Sequence, residues 1–271
     1  MAVSDVSLTA GMRSNLLQLQ GTAKLIDRTQ ERLSTGRQVN SALDNPTNFF
    51  AAQAAQNRAA DFSTRKDGMG EAIQNVKAAD AGISAITALV AAAKGLTEAA
   101  TGTSNTADRS TFAVQFNQIR SQIDTLASDS GYRGTNLLTG ANLTVNFNEG
   151  ASAKLTVNGF TATSSGLGVD AAAANWTLAS DITAAADDLT TATDTLRSQS
   201  KTLAGNLNII TTRQTFTDSM ISTLQTGSDN LTLADMNNEG ANMLMLQTRQ
   251  SLGTTALSMS SQAAQSVLRL F

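Results

Sequence analysis

Asp187 and Asp188 stand side by side, and paired carboxylates are acid–base tools of hydrolases. Neighbouring residues on a helix point about 100° apart, so these two do not converge on one substrate and read as a solvated helix face. Other routes to catalysis fail on composition. The chain contains no cysteine and no histidine, which removes thiolate nucleophiles, disulfides, imidazole bases and Cys/His metal centres. A serine triad loses its usual base as well. The "SGLG" around Gly166 is too short for a phosphate-binding loop and follows no clear strand. The run Met243 to Leu246, "MLML", reads as packing rather than as a metal site. Asn142-Leu143-Thr144, Asn175-Trp176-Thr177 and Asn230-Leu231-Thr232 fit the N-glycosylation pattern, a weak three-residue signal. The residues therefore predict no enzyme, no cofactor, no metal and no catalytic set.

Spacing carries far more information than residue chemistry. Met12, Leu16, Leu19, Ala23, Ile26, Gln30 and Leu33 step by alternating fours and threes, the pattern of a helix that buries one narrow stripe against another helix. This first helix is read from Asp5 to Leu33. Gly36 can end it, and Asn45-Pro46 is a cap and first-turn signature for a second helix running to about Ala100. Met69, Ile73, Val76, Ile83, Ile86 and Val90 mark the stripe of that second helix. Thr106 or Asp108 caps a third, which carries Phe112, Phe116, Ile119, Ile123 and Leu126. The period then changes to two: Leu143, Val145 and Phe147 share one face, as do Leu155 and Val157, with "NEGAS" between them as a hairpin loop.

Thr161 to Trp176 shows neither period. It is the segment expected to be least structured, most exposed and most tolerant of an inserted tag. After it, Ile182, Leu189, Leu196, Leu203, Ile210, Thr217 and Leu224 are each seven residues apart. This is the stripe of one helix of about 45 residues, expected to end near Gly227 with a restart at Asp229 or Asn230. A last helix from about Ala234 carries Met236, Met243, Leu246, Leu257, Ala264 and Val267. Leu244, Leu252, Met259 and Leu268 widen its stripe beyond what one partner covers. The fold class is mainly α: long coiled-coil helices from both chain ends packed together, with a small β-hairpin region in the middle. The partner expected for Met12 to Leu33 is the C-terminal helix.

Composition agrees. Of 271 residues, 41% are hydrophobic but only 4% aromatic, with one proline, so the apolar content suits long helices better than a compact ring-filled core. A net charge of −3 supports no nucleic-acid partner. The apolar run "ALVAAA", Ala88 to Ala93, is too short for membrane insertion. The N-terminal "MAVSDVSLTAGMRSN" lacks the basic and apolar regions of a cleavable signal peptide.

Burying Met12, Leu16, Leu19, Ile26 and Leu33 contributes roughly 8–15 kcal/mol. Ordering that helix costs on the order of 1–2 kcal/mol per residue, offset in part by its hydrogen bonds. A lone terminal pair is therefore marginal, and both ends are expected to be disordered in the free chain until further copies pack on them. Spacing alone leaves a self-contained antiparallel bundle open.

Three stretches narrow the choice. "LSTGRQVNSALDNP", Leu33 to Pro46, resembles the segment after the first helix of bacterial flagellins. "FAVQFNQIRSQIDTLASDSGYRGTNLLTG", Phe112 to Gly140, resembles their internal helix and its Gly-x-Asn-Leu-Leu turn. "SSQAAQSVLRLF", Ser260 to Phe271, resembles their closing motif. The resemblance implies a short flagellin without large outer domains, a structural subunit of the flagellar filament that self-assembles by coupled folding. It implies an inner coiled-coil domain of 1–41 with 230–271, and a helical-bundle domain of 42–229 with its hairpin at about 136–176. The assembly seam is then Met12, Leu16, Leu19, Ile26 and Leu33 with Met236, Met243, Leu246, Leu257, Ala264 and Val267. Implied partners are further copies of the chain, the flagellar export apparatus, a secretion chaperone, and hook-associated and cap proteins. Implied location is the extracellular flagellum, reached without a cleavable signal peptide. The Ser/Thr loop from Thr161 to Ser165 reads by default as unmodified surface, with O-linked sugar, as in some flagellins, the alternative. A hook–filament junction protein, which shares the terminal helices, is the alternative.

Overall fold

The computed structural model describes residues 10–268, with the side chains of Val267 and Leu268 outside the description. Five helices follow the chain: α1 Ala10–Thr35, α2 Pro46–Thr101, α3 Thr106–Asp129, α4 Ala179–Thr232 and α5 Met236–Leu268. A two-stranded antiparallel hairpin, β1 Leu143–Asn146 and β2 Lys154–Val157, separates α3 from α4. Leu143 faces Val157 and Val145 faces Leu155 in its register, so the period-two residues share the face that meets the core. Two compact units form. One takes the chain up to Asn57 with the chain from Thr223; the other is Arg58–Ser222.

In the second unit, Ile182, Leu189, Leu196, Leu203, Ile210 and Thr217 all lie at 2% exposure or less. All but Thr217 pack in one core with Met69, Val76, Ile83, Ile86 and Val90 from α2 and with Phe116 and Ile123 from α3. Taken over an 18-residue window, α2 has mean hydropathy 1.5, long and apolar enough to cross a membrane by length and composition, with 39% of that window buried. This run is wider than "ALVAAA", and its branched residues already fill the core. The end of α3 and the turn after it press on α2 where its side chain is absent: a methyl at Gly82 would run into Ser130 and come within 2.6 Å of Leu138 Cδ1. The C-terminus of α3 is closed by Asn136, whose Nδ2 donates to the Ala127 and Ser128 carbonyls at 2.8 and 2.9 Å. Asn136 Oδ1 accepts from Leu138 N at 2.9 Å, so one side chain caps the helix and sets the buried Leu137–Leu138 pair. This is the physical content of the "GTNLL" motif.

Two sequence expectations are corrected. Gly227 does not end a helix. The helix α4 runs through it for 54 residues, because one glycine costs only about 1 kcal/mol in a long helix, and the break falls at Asp235 instead. Nor is Thr161 to Trp176 loose. Ala162, Ser164, Leu167, Val169 and Trp176 are all buried, drawn onto α3 by three polar side chains along one face of that helix. Asn117 Oδ1 accepts from Ala172 N at 3.1 Å, Arg120 Nε donates to the Val169 carbonyl at 2.9 Å, and Asp124 Oδ1 accepts from Ser164 N at 2.7 Å. Ala174, Asn175 and Trp176 hold φ of 45°, 48° and 57°, a left-handed run that costs roughly 1–2 kcal/mol per residue. It swings the fully buried Trp176 ring to 4.9 Å from Phe116, and burial of so large a ring offsets the strain.

Tolerance to insertion therefore belongs to the hairpin tip, where Glu149 to Ser152 are exposed. A short tag between Gly150 and Ala151 should change the urea midpoint little, since the nearby Arg58–Glu149 pair is exposed and worth roughly 0–1 kcal/mol. The same tag between Gly166 and Leu167 should cost several kcal/mol, on the order of 3 or more, as read from circular-dichroism unfolding curves.

Candidate functional site

In the first unit, α1 and α5 lie antiparallel. Arg32 Nη1 reaches Glu239 Oε1 at 2.9 Å, the two side chains being 18% and 11% exposed. One more step along the pair, Leu19 leans on Gly253: a methyl there would sit 2.6 Å from Leu19 Cδ2 and 3.1 Å from its Cγ. The absent side chain at Gly253 is thus the space Leu19 uses. Gly36, at φ +70°, closes α1 in a left-handed cap, donating its N–H to the Arg32 carbonyl at 2.8 Å, which glycine does without strain. Asp235 starts α5 by accepting from Asn237 N and Asn238 N at 3.0 and 3.2 Å, as an N-cap carboxylate does. The two connecting segments run side by side, with Gln38 N on the Thr232 carbonyl at 2.7 Å and Ala234 N on the Gly36 carbonyl at 3.0 Å.

Between α1 and α2 the "NSALD" motif folds on one carboxylate. Asp44 Oδ2 accepts from Asn40 N, Ser41 N and Ser41 Oγ at 3.1, 3.0 and 3.1 Å. The backbone bonds from Ser41 and Asn40 hold its carboxyl below the usual carboxylate range. This is why an acidic residue stands three positions after the serine.

The predicted seam residues fall into distinct places. Met12 and Leu246 are buried, each 6% exposed. Leu19, Ile26, Leu33, Met243, Leu257 and Ala264 are half-buried. Leu16 and Met236 are exposed, at 38% and 47%, and the side chain of Val267 lies outside the description. The stripe of α1 is turned relative to expectation: Thr29 is buried while Gln30 is exposed, and Asn15 and Thr22 are half-buried beside the seam. The three-and-four stepping has two interleaved solutions, and counting apolar residues chose Leu16, whereas the pairing with α5 uses Asn15, Thr22 and Thr29. Spacing alone does not mark Arg32, Glu239 and Gly253 as seam residues. Each partner lies over two hundred positions away, so only the fold pairs them.

A second stripe runs along the flank of α5 that borders this pairing. Met245, Leu252 and Met259, each seven residues apart, are 47%, 66% and 60% exposed, with Leu244 beside them at 68%. Leu17 and Leu25 on α1 are 69% and 49% exposed. Between the helices, Leu19, Gly21, Leu25, Leu252, Gly253 and Ala256 line an open groove of about 930 Å³ whose rim carries Arg28 and Arg249. Elsewhere, Asp187 is exposed and Asp188 half-buried, as a helix flank requires. The chemistry this unit offers is packing: a knob-and-notch pair on one face and an uncovered apolar stripe beside it.

The family model for the bacterial flagellin N-terminal helical region matches residues 6–143. Flagellin FljK of Caulobacter vibrioides is 31% identical to the chain across 100% of both proteins. A flagellin of Brucella melitensis is 30% identical across 94% of this chain and 95% of its own length. A crystal structure of Bacillus cereus flagellin superposes with a TM-score of 0.48 at 18% identity, covering 55% of this chain and 88% of that one.

The notch can be tested directly. Gly253→Val should destabilise the α1–α5 pair by about 1–3 kcal/mol through overpacking on Leu19. Gly21→Ala, with nothing within 4 Å of the added methyl, should raise monomer helix stability by about 0.5–1 kcal/mol. Urea unfolding followed at 222 nm distinguishes the two.

Proposed function

Because the chain belongs to the bacterial flagellins, we propose that its assembly surface is the outward side of the α1–α5 pair. The protein is a structural subunit of the bacterial flagellar filament, and it forms that filament with further copies of itself. The observation that carries the assembly surface is the uncovered stripe of Met245, Leu252 and Met259 on a helix whose neighbouring face is already occupied by α1. Soluble chains rarely leave so much contiguous apolar surface open without a partner. In this reading the inner coiled-coil domain comprises 1–41 and 230–271, and 42–229 forms the other domain. The seam from Met12 to Leu33 with Met243, Leu246, Leu257 and Ala264 orders α1 on α5, and the copies then cover what remains. The chain works without catalysis, cofactor or metal. It leaves the cell through the flagellar export apparatus, with a secretion chaperone covering the terminal stripes beforehand and hook-associated and cap proteins bounding the filament. These partners suit apolar helices that are marginal alone.

Two measurements test this reading. Amide exchange on the free monomer should be fast before about Ser41 and after about Asp229 and slow between them; uniform protection would show that the terminal pair needs no copies. Leu19→Asp places a carboxylate against the Gly253 notch, where burial costs several kcal/mol, on the order of 3 or more. That variant should remain as helical over Pro46 to Leu224 as wild type yet fail to sediment as polymer after seeding. Arg28→Ala, exposed on the groove rim, should assemble far better. Normal filaments from Leu19→Asp would remove the seam from the assembly surface.

A further inference from the structure

Methionine is concentrated where the uncovered surface lies. Met236, Met243, Met245 and Met259 all stand on α5. Met245 and Met259 occupy the same outward heptad position on either side of Leu252, with 47% and 60% of their surface open. Met12 on α1 and Met69 on α2 are buried at 6% and 0%. Met236, Met245 and Met259 are the most open thioethers among the described residues, and of these Met245 and Met259 lie on the outward stripe.

We propose that Met245 and Met259 make assembly sensitive to peroxide, so that a subunit oxidised at these two sulfurs is refused by the growing polymer while an assembled subunit is shielded. The step is a two-electron oxidation. The sulfur lone pair attacks one peroxide oxygen, the O–O bond breaks, and the departing hydroxide takes a proton to leave as water. The thioether becomes a sulfoxide and the peroxide is reduced. A flexible apolar side chain thereby becomes a polar acceptor. On the outward stripe its neighbour one heptad away is Leu252, with the other methionine one heptad beyond. Arg249, on the groove rim, is the cation of this stretch of α5; it lies one turn from Met245, whereas no charged residue lies within a turn of Met259. Covering the stripe would bury the sulfoxide oxygen among apolar groups, and an unpartnered polar group opposes burial strongly. Leucine at either position would serve the contact as well, being close in volume. What methionine adds is adaptable fit, and with it this sensitivity.

The inference rests on the assembly surface proposed above, and the experiment separates the two. Monomer and seeded filament are exposed to the same hydrogen peroxide, and sulfoxide is mapped by mass spectrometry. Oxidised monomers are then tested for seeded growth alongside the Met245→Leu/Met259→Leu double variant. Expected are slower oxidation of Met245 and Met259 in filament than in monomer, and a roughly tenfold or greater rise in the concentration wild-type oxidised monomer needs for growth. The oxidised double variant should grow normally, and methionine sulfoxide reductase should restore the wild type. Equal oxidation of the two sulfurs in filament and monomer would overturn the assembly surface itself. Shielded sulfurs with normal growth of oxidised monomer would overturn the peroxide sensitivity alone. So would loss of growth in the oxidised double variant, which would assign the effect to other methionines. If the unoxidised double variant grows poorly, rescue of oxidised wild type by the reductase decides, and failure of that rescue counts against the proposal.

Discussion

The antiparallel pairing of α1 with α5 joins the first helix of the chain to the last, and the rest of the molecule's behaviour turns on how little that pairing covers. Each helix presents a narrow stripe, and each stripe has one partner. Leu19 fills the space above Gly253 and Arg32 neutralises the nearly buried Glu239, which fixes the pair in one register. An isolated two-helix contact of this size competes with the entropy of ordering some thirty residues on either side, and the balance is close to even. Apolar side chains left on the outside tip it only when another copy arrives. Filament growth is then the completion of a hydrophobic core that one chain carries in halves.

Arg58–Ser222 follows the opposite logic. Its core is closed within the chain by α2, α3, the long heptad of α4, the hairpin and the strand-like loop after it. Strain is accepted where it gains packing, as in the left-handed turn that seats Trp176 against Phe116. Polar residues are placed to organise rather than to react: Asn136 on the end of α3, Asp124 on the Ser164 backbone, and Arg120 on the Val169 carbonyl. Such bonds contribute modestly when made and cost more when half-broken, so they specify one arrangement of a loop otherwise rich in small residues.

Polar groups also sit in the terminal seam. Asn15, Thr22 and Thr29 interleave with Leu19, Ile26 and Leu33. An all-leucine seam would bind more tightly and less selectively; polar residues at such positions trade stability for register. For a helix pair that must close in one alignment before copies add to it, that trade is sensible.

Much of this was already present in residue order. The seven-residue spacing from Ile182 to Leu224 admits little but a long helix, because only a helical stripe brings such residues to one side. The period-two hairpin, the glycine after α1 and the Asn45-Pro46 start of α2 are local effects of backbone sterics, and local effects are legible without a fold. The absence of cysteine and histidine narrowed the chemistry at once. Three things needed the tertiary structure. The burial of Ala162 to Trp176 depends on Asn117, Arg120 and Asp124 reaching across forty or more residues, and polar anchors leave no periodic trace. The continuation of α4 through Gly227 depends on packing that outweighs one residue's propensity. The choice between Leu16 and Asn15 as the inward side of α1 depends on where α5 lies, because a stripe of threes and fours has two nearly equivalent faces and only the partner helix selects one.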